Sequence, residues 1–204
     1  MIEVLLSFAL ASFALALSPG PDNIYVMTQS LANGTKSGIA TTAGLISGCI
    51  VHTTLLAFGI SAVITASENL FYGLKILGAC YLLYLAYKTF QSNSEIAVST
   101  NAPKKTALEL YKIGVVMNLV NPKVMIFFLA FFPAFLWDKD GNTVVQFYTL
   151  GLIFMLVSFL TFSGIAVLAG RISQYIITKR YVGTVLKWLQ IIVFVGIALF
   201  ILLG

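Results

Sequence analysis

Asp22 and Lys123 are the two residues of this 204-residue chain whose types and positions suggest chemistry. Each directly follows a proline, in "SPGPD" at 18–22 and "VNPK" at 120–123, and each lies within a long apolar stretch. An acid near a bilayer centre costs about 2.5–3.5 kcal/mol on insertion scales. Proline removes a backbone donor and clashes with the turn before it. One acid and one base at paired breaks describe a site for a zwitterion, with Asp22 facing an ammonium. Lys123 and the N–H groups opening a half-helix would face the carboxylate. A buried salt bridge, or Asp22 capping its own half-helix, uses the same residues. The spacing alone leaves all of these readings open.

Other candidates cluster around the same positions. Ser18, Pro19, Gly20, Pro21 and Pro122 form the helix breaks, and Asn23 and Asn121 flank the prolines, where they can bind substrate or replace lost backbone bonds. His52, the single histidine, sits within an apolar segment, as a hydrogen-bonded core residue, a cavity liner or, with Asp22, a candidate proton carrier. Gly44 and Gly48 give the small-xxx-small spacing of helix packing. Tyr25, Phe127, Phe128 and Phe131 read as packing residues after the breaks. Cys49 and Cys80 lie in apolar segments without a C-x-x-C pattern, as small core residues. The chain carries no H-E-x-x-H, metal-ligand cluster, nucleophile–His–Asp set or phosphate loop. The expectation is therefore no enzyme, no metal, no cofactor and no direct use of ATP.

The elements that position these groups follow from composition. Hydrophobic residues make up 59% of the chain and charged residues 9%, against about 25% charged in a soluble domain. Such a chain belongs in a lipid bilayer, and its few scattered bases form no nucleic-acid face. "LASFALALS" resembles a signal peptide, but no basic region precedes it and a proline follows the would-be cleavage site, so it reads as a retained helix.

Six stretches reach the ~20 residues a span needs: about Ile2–Leu31, Gly38–Ala66, Leu70–Phe90, Thr106–Trp137, Thr143–Ala169 and Gly183–Leu203. One side collects Lys36, Lys88, Lys104, Lys105, Lys112, Arg171, Lys179, Arg180 and Lys187, whereas the other has Lys75 and Lys139. That asymmetry puts the loops after the first, third and fifth spans in the cytoplasm and both termini outside the cytoplasmic membrane.

The fold expected is an all-α membrane protein of one domain, residues 1–204, built from two inverted three-helix repeats. Repeat 1 covers about 1–90, a linker 91–105, and repeat 2 about 106–204. The overlong first and fourth segments are each broken at mid-membrane. Segments two and five share "TAGLI" and "TLGLI", and segments three and six open on "LKIL" and "LKWL". Broken helices at matching positions of inverted repeats mark a midplane binding site, because hydrocarbon cannot satisfy their freed backbone groups.

At "SPGPDNIYV" (18–26), "GLISGCIVHTTLLAFG" (44–59), "LKILGACYLLYLAYKTF" (74–90) and "NLVNPKVMIFFLAFFPAF" (118–135) the sequence resembles the lysine exporter and homoserine/threonine resistance (LysE/RhtB) superfamily. The resemblance implies export of amino acids from the cytoplasm by proton antiport, and the 3+3 repeat argues for alternating access over a symmetric channel. It carries over Gly20, Pro21, Asn121, Pro122 and Lys123 as motif positions. Related transporters of reducing equivalents need a cysteine in each half, which this chain lacks. Members that export basic amino acids tend to carry an acid in the second segment. Here Gly38–Ala66 holds His52 and no acid, so the cargo expected is a neutral amino acid or derivative of the homoserine, threonine or branched-chain type. The alternatives are another small cargo (a basic amino acid, lactone or dipeptide) or a membrane scaffold subunit without cargo. Self-association is left open.

Overall fold

The computed structural model describes residues 1–18, 20–62, 67–92, 102–138, 141–177 and 180–203. Pro19, part of the first expected break, lies outside them, as does most of the expected linker at 91–105. The described residues form helices and no strand. In chain order the helices are α1 (Ile2–Leu17), α2 (Pro21–Asn33), α3 (Thr35–Leu55), α4 (Glu68–Gln91), α5 (Ala107–Val120), α6 (Pro122–Phe131), α7 (Thr143–Ile177) and α8 (Arg180–Leu203). A π-helical turn at Leu56–Ile60 extends α3, and a 3-10 turn at Phe132–Phe135 extends α6.

Among the described residues, three continuous stretches, Thr35–Ile60, Thr143–Gly170 and Gly183–Leu203, are long and apolar enough to cross a bilayer. The pairs α1–α2, bent by 61°, and α5–α6, bent by 56°, bring the number to five if each bent pair is one span. The expected third span, Leu70–Phe90, folds as α4, whose 24 residues are long enough. It is not among the candidate spans found within the described residues, and it carries Lys75 and Lys88 among its apolar residues.

Both bends have a local cause. Pro21 and Pro122 each stand at the first position of a new helix, where a missing N–H costs nothing and φ is already helical. The same residues could not continue α1 or α5 without losing a backbone bond. Elsewhere the ends are set by ordinary signals. Thr106 and Glu109 form a reciprocal capping box that opens α5. Gly34 has φ +87°, the left-handed turn that lets α3 follow α2 directly.

The surface is apolar, as a lipid-facing surface must be. Leu152, Leu156 and Leu160, four residues apart on one face of α7, are each more than 60% exposed. Lipid tails are as apolar as leucine, so burial from water gives little drive for helix association and close packing has to supply it. Two kinds of packing do so. Around α6 the side chains are rings: Phe127 stacks on Phe131 at 4.4 Å, Phe128 on Phe132 at 4.2 Å, and Phe8 meets Phe132 edge-on at 5.0 Å. The residues expected to pack after the second break are thus core, with Phe127, Phe128 and Phe131 all fully buried. Between α3 and α5 the backbones themselves touch. A methyl group on Gly44 would strike the Tyr111 carbonyl, and one on Gly114 would strike that of Thr41. Gly48 likewise leaves room for the side chain of Asn118.

Candidate functional site

The two breaks face one another across a small cavity of about 40 Å3. Its polar lining is Ser18, Asp22, Asn23, Asn118, Asn121, Lys123 and Ser158, and its apolar walls include Leu15, Phe127, Phe154 and Phe162. The structure therefore brings together six of the expected residues: Ser18, Gly20, Asp22, Asn23, Asn121 and Lys123. They come from the end of α1, the start of α2 and the start of α6.

At the first break α1 ends on Ser18, whose N–H reaches the carbonyls of Ala14 at 3.2 Å and Leu15 at 3.1 Å. Asn23 then donates its amide to the carbonyls of Ala16 at 2.9 Å and Ser18 at 3.2 Å. Those carbonyls belong to the last turn of α1, which has no helical donors left for them. Asn23 thus replaces lost backbone bonds. No side chain caps the start of α2, where Gly20 stands. With no side chain on it, the positive end of its dipole is open to an anion.

The second break is tighter. Asn121 alone separates α5 from α6, and its Oδ1 accepts the N–H of Lys123 at 3.0 Å, capping α6. Its Nδ2 donates to Oδ2 of Asp22 at 2.9 Å. One asparagine therefore closes its own helix start and holds the carboxylate of the other break. Lys123 leans back across the cavity. Its Nζ donates to Oγ of Ser18 at 3.3 Å and to the Ser18 carbonyl at 3.5 Å, and lies 5.1 Å above the ring of Phe194.

Asp22 and Lys123 thus take separate partners and do not close a salt bridge. Asp22 does not cap its own helix either. Its second oxygen, Oδ1, is buried without any partner. Neither structural explanation of the pair is realised. The carboxylate and the ammonium face one cavity, each with capacity to spare.

His52 is not among the residues that line this cavity. Its Nε2 lies 3.2 Å from the carbonyl of Asn118, which can only accept, so Nε2 carries the proton. Pro122 has no N–H to offer that carbonyl four residues earlier, so the histidine replaces a bond the proline removed. Its ring meets Phe128 at 5.5 Å. The other side of His52 lines an apolar cleft of about 530 Å3 with Leu56, Leu74, Met125 and Leu129. Gly44 and Gly48, expected in helix packing, are both at the contact with α5.

The family-level sequence pattern of the LysE type translocators matches residues 13–204, a stretch that includes both breaks and every residue of the cavity. The chain belongs to the LysE type translocator family. As a LysE-type translocator it is a transporter and not an enzyme. It is 32% identical over 170 residues to a homoserine/homoserine lactone efflux protein of Salmonella typhimurium, covering 83% of this chain and 82% of that protein. A protein of Vibrio cholerae described as an uncharacterized membrane protein is 28% identical over 175 residues, covering 86% of this chain and 85% of the relative. No solved structure matches the chain.

Three residues of this translocator's cavity were missed by sequence reasoning. Asn118 and Ser158 are both buried and polar, and Cys49 lies beside them with Asn118 Nδ2 at 3.5 Å from its Sγ. The first two carried a signal, since polar side chains inside apolar spans mark substrate or ion paths. Proximity to a proline break drew attention instead.

Proposed function

We propose that this protein exports a neutral amino acid or derivative bearing a free amine, of the homoserine, threonine or branched-chain type, by proton antiport with alternating access. Membership of an efflux family supports export. The observation that carries the cargo class is that Asp22 and Lys123 face one cavity without pairing with each other. The free Oδ1 of Asp22 suits an ammonium. The Lys123 ammonium and the uncapped start of α2 suit a carboxylate. The Salmonella relative is named for homoserine and its lactone. Both carry a primary amine, while the lactone has no carboxylate, so the amine is the group that such cargoes share.

Coupling follows from the same carboxylate. An unpartnered acid in a low-dielectric site is costly to keep charged, so it is neutralised by the cargo ammonium in one phase and by a proton in the other. Exclusive occupancy of one group by two cations is the minimal chemistry of antiport. His52 is the alternative proton carrier. Each charge moved through 100 mV is worth about 2.3 kcal/mol, enough to drive cargo uphill without ATP.

The reading places the protein in the cytoplasmic membrane as six spans in two inverted repeats, with both termini outside. The six-span count takes α4 as a span on its length and on the nine-to-two asymmetry of bases between the two sides. The proline breaks at matching points of the two halves support the repeat, and their bends serve as hinges.

Reconstitution tests it. Liposomes containing the protein should accumulate or release labelled homoserine or threonine against a gradient when a pH difference is imposed. A protonophore should abolish this, and ATP should have no effect. Uphill transport without any ion gradient would sink the antiport reading. Failure to move any free amino acid would sink the cargo class.

A further inference from the structure

We propose that Asn118 and Ser158 complete, with Asp22, a pocket for the primary ammonium group of the cargo. The inference rests on the export reading above and adds the residues that select the amine.

The three side chains come from α5, α7 and α2 and line the same cavity. Asp22 is 8% exposed, Asn118 4% and Ser158 2%. Each has one buried oxygen without a partner: Oδ1 of Asp22, Oδ1 of Asn118 and Oγ of Ser158. Buried oxygens without donors are costly, and native structures keep few of them. Three around a single cavity ask for a ligand that donates three hydrogen bonds. A primary ammonium has three N–H donors, and its charge matches the carboxylate.

The oxygens are held in place by partners on their other atoms. Asn121 occupies Oδ2 of Asp22 at 2.9 Å, which leaves Oδ1 over. The Cys49 thiol donates to the Leu45 carbonyl at 3.6 Å, so its sulfur is left to accept, and Nδ2 of Asn118 donates to it at 3.5 Å. With the sulfur taking the amide nitrogen, the Asn118 oxygen is left over. The lysine at the cavity's other end is turned to Ser18, at 3.3 Å from its Oγ.

Size agrees with this assignment. A water-sized group needs roughly 10–15 Å3 of such space, so a cavity of about 40 Å3 admits an ammonium and not a whole amino acid. The rest of the cargo enters only when the half-helices part. The apolar wall of Phe127, Phe154 and Phe162 gives an N-methyl group contact but no acceptor. Methylation of the amine therefore removes bonds that the site cannot replace.

The test measures binding of L-homoserine and its N-methyl and N,N-dimethyl derivatives to the purified full chain, in sodium chloride and in choline chloride. The unmodified protein should prefer the primary amine over the dimethyl form by about tenfold or more. Ser158→Ala removes only an unpartnered hydroxyl, so the fold is kept. It should weaken homoserine by about tenfold, the worth of one hydrogen bond to a charged group. Binding of the dimethyl form should change by less than about twofold, so the preference collapses. Asn118→Leu should act in the same direction.

Equal loss for all three ligands, or no loss for any, would overturn the pocket and leave these residues structural. Loss confined to sodium chloride would assign the three oxygens to a sodium ion and overturn it as well. If the unmodified protein binds no amine, the export reading fails together with this one. If it binds amines with a preference that both variants leave intact, only the pocket fails.

Discussion

At the second break one residue separates the helices, and its side chain caps the new helix with a 3.0 Å bond to Lys123 N–H. At the first, α1 stops at Leu17, α2 starts at Pro21, and no side chain caps the new helix. The bends are nearly equal, 56° and 61°, so the difference lies in how each break satisfies its polar groups. The second is closed by its own asparagine and by His52 on the Asn118 carbonyl, to which Pro122 has no N–H to donate. The first closes its carbonyls through Asn23 and leaves its new helix without a side-chain cap and one carboxylate oxygen without a partner. A proline break can thus be a finished structural joint or an unfinished binding surface. Here the finished one lends Asn121 and Lys123 to the unfinished one.

The largest effect expected separates a binding pair from a structural one. The double change Asp22→Asn with Lys123→Met should leave a folded, monodisperse protein, because no salt bridge joins the two residues. Transport of homoserine should fall by at least about a hundredfold, since each charge-assisted contact is worth about 1.5–3 kcal/mol. Near-native transport by the purified double variant would strip both residues of a binding role and leave the breaks as hinges alone.

Much of this contrast was legible beforehand. Pro21 and Pro122 announced both bends, and Asn23 and Asn121 announced backbone repair, because proline's missing donor has to be answered by a polar neighbour. Resemblance at the G-P and N-P-K positions named the family that the whole-chain match establishes. Partner choice was not legible. Nothing in "SPGPD" or "VNPK" says that Lys123 turns to Ser18 rather than to Asp22, since that depends on where four helices place their ends. Ser158 and Asn118 carried a weaker signal as polar side chains inside apolar spans, but only the fold places them beside the breaks. The aromatic packing around α6 also needed the fold, because a phenylalanine run reads equally as core or as lipid face.

Next in size is the loss of the residue that serves both breaks. Asn121→Ala removes a helix cap, worth about 1 kcal/mol, and a hydrogen bond to a carboxylate, worth about 1.5 kcal/mol or more. Thermal unfolding in detergent should show a clear drop in midpoint, with a fall in transport because Asp22 loses its orientation. An unchanged midpoint would mean that the second break is not closed by its own residue, and the contrast would vanish.

His52→Phe is smaller and sharpens the contrast from the other side. The ring still packs against Phe128, but the Asn118 carbonyl loses a donor, for about 1 kcal/mol of stability. It keeps the N–H of Asn121 at 3.2 Å. Transport should slow modestly and still respond to an imposed pH gradient, as it must if Asp22 carries the proton. Uncoupled transport with an unchanged unfolding midpoint would move the proton to His52 and make the second break the active one.

Gly20→Ala should do least, and the reason lies in its backbone. Its φ of −158° and ψ of 176° are extended angles open to any residue, so the position does not require glycine for conformation. A methyl group there would sit 3.4 Å from Nζ of Lys123, an ordinary contact. Stability should shift by no more than about 0.5 kcal/mol, with any gain coming from a less flexible unfolded chain. Transport should stay within about threefold, because the methyl meets Nζ of Lys123 and does not reach Asp22. The comparison is then at its clearest. Alanine at Asn121 removes a part that the second break is built from, whereas alanine at Gly20 adds an atom to space that the first break leaves open. If Gly20→Ala instead stops transport in a stable protein, the first break must pass through angles closed to alanine during the cycle, and its openness would serve motion rather than binding.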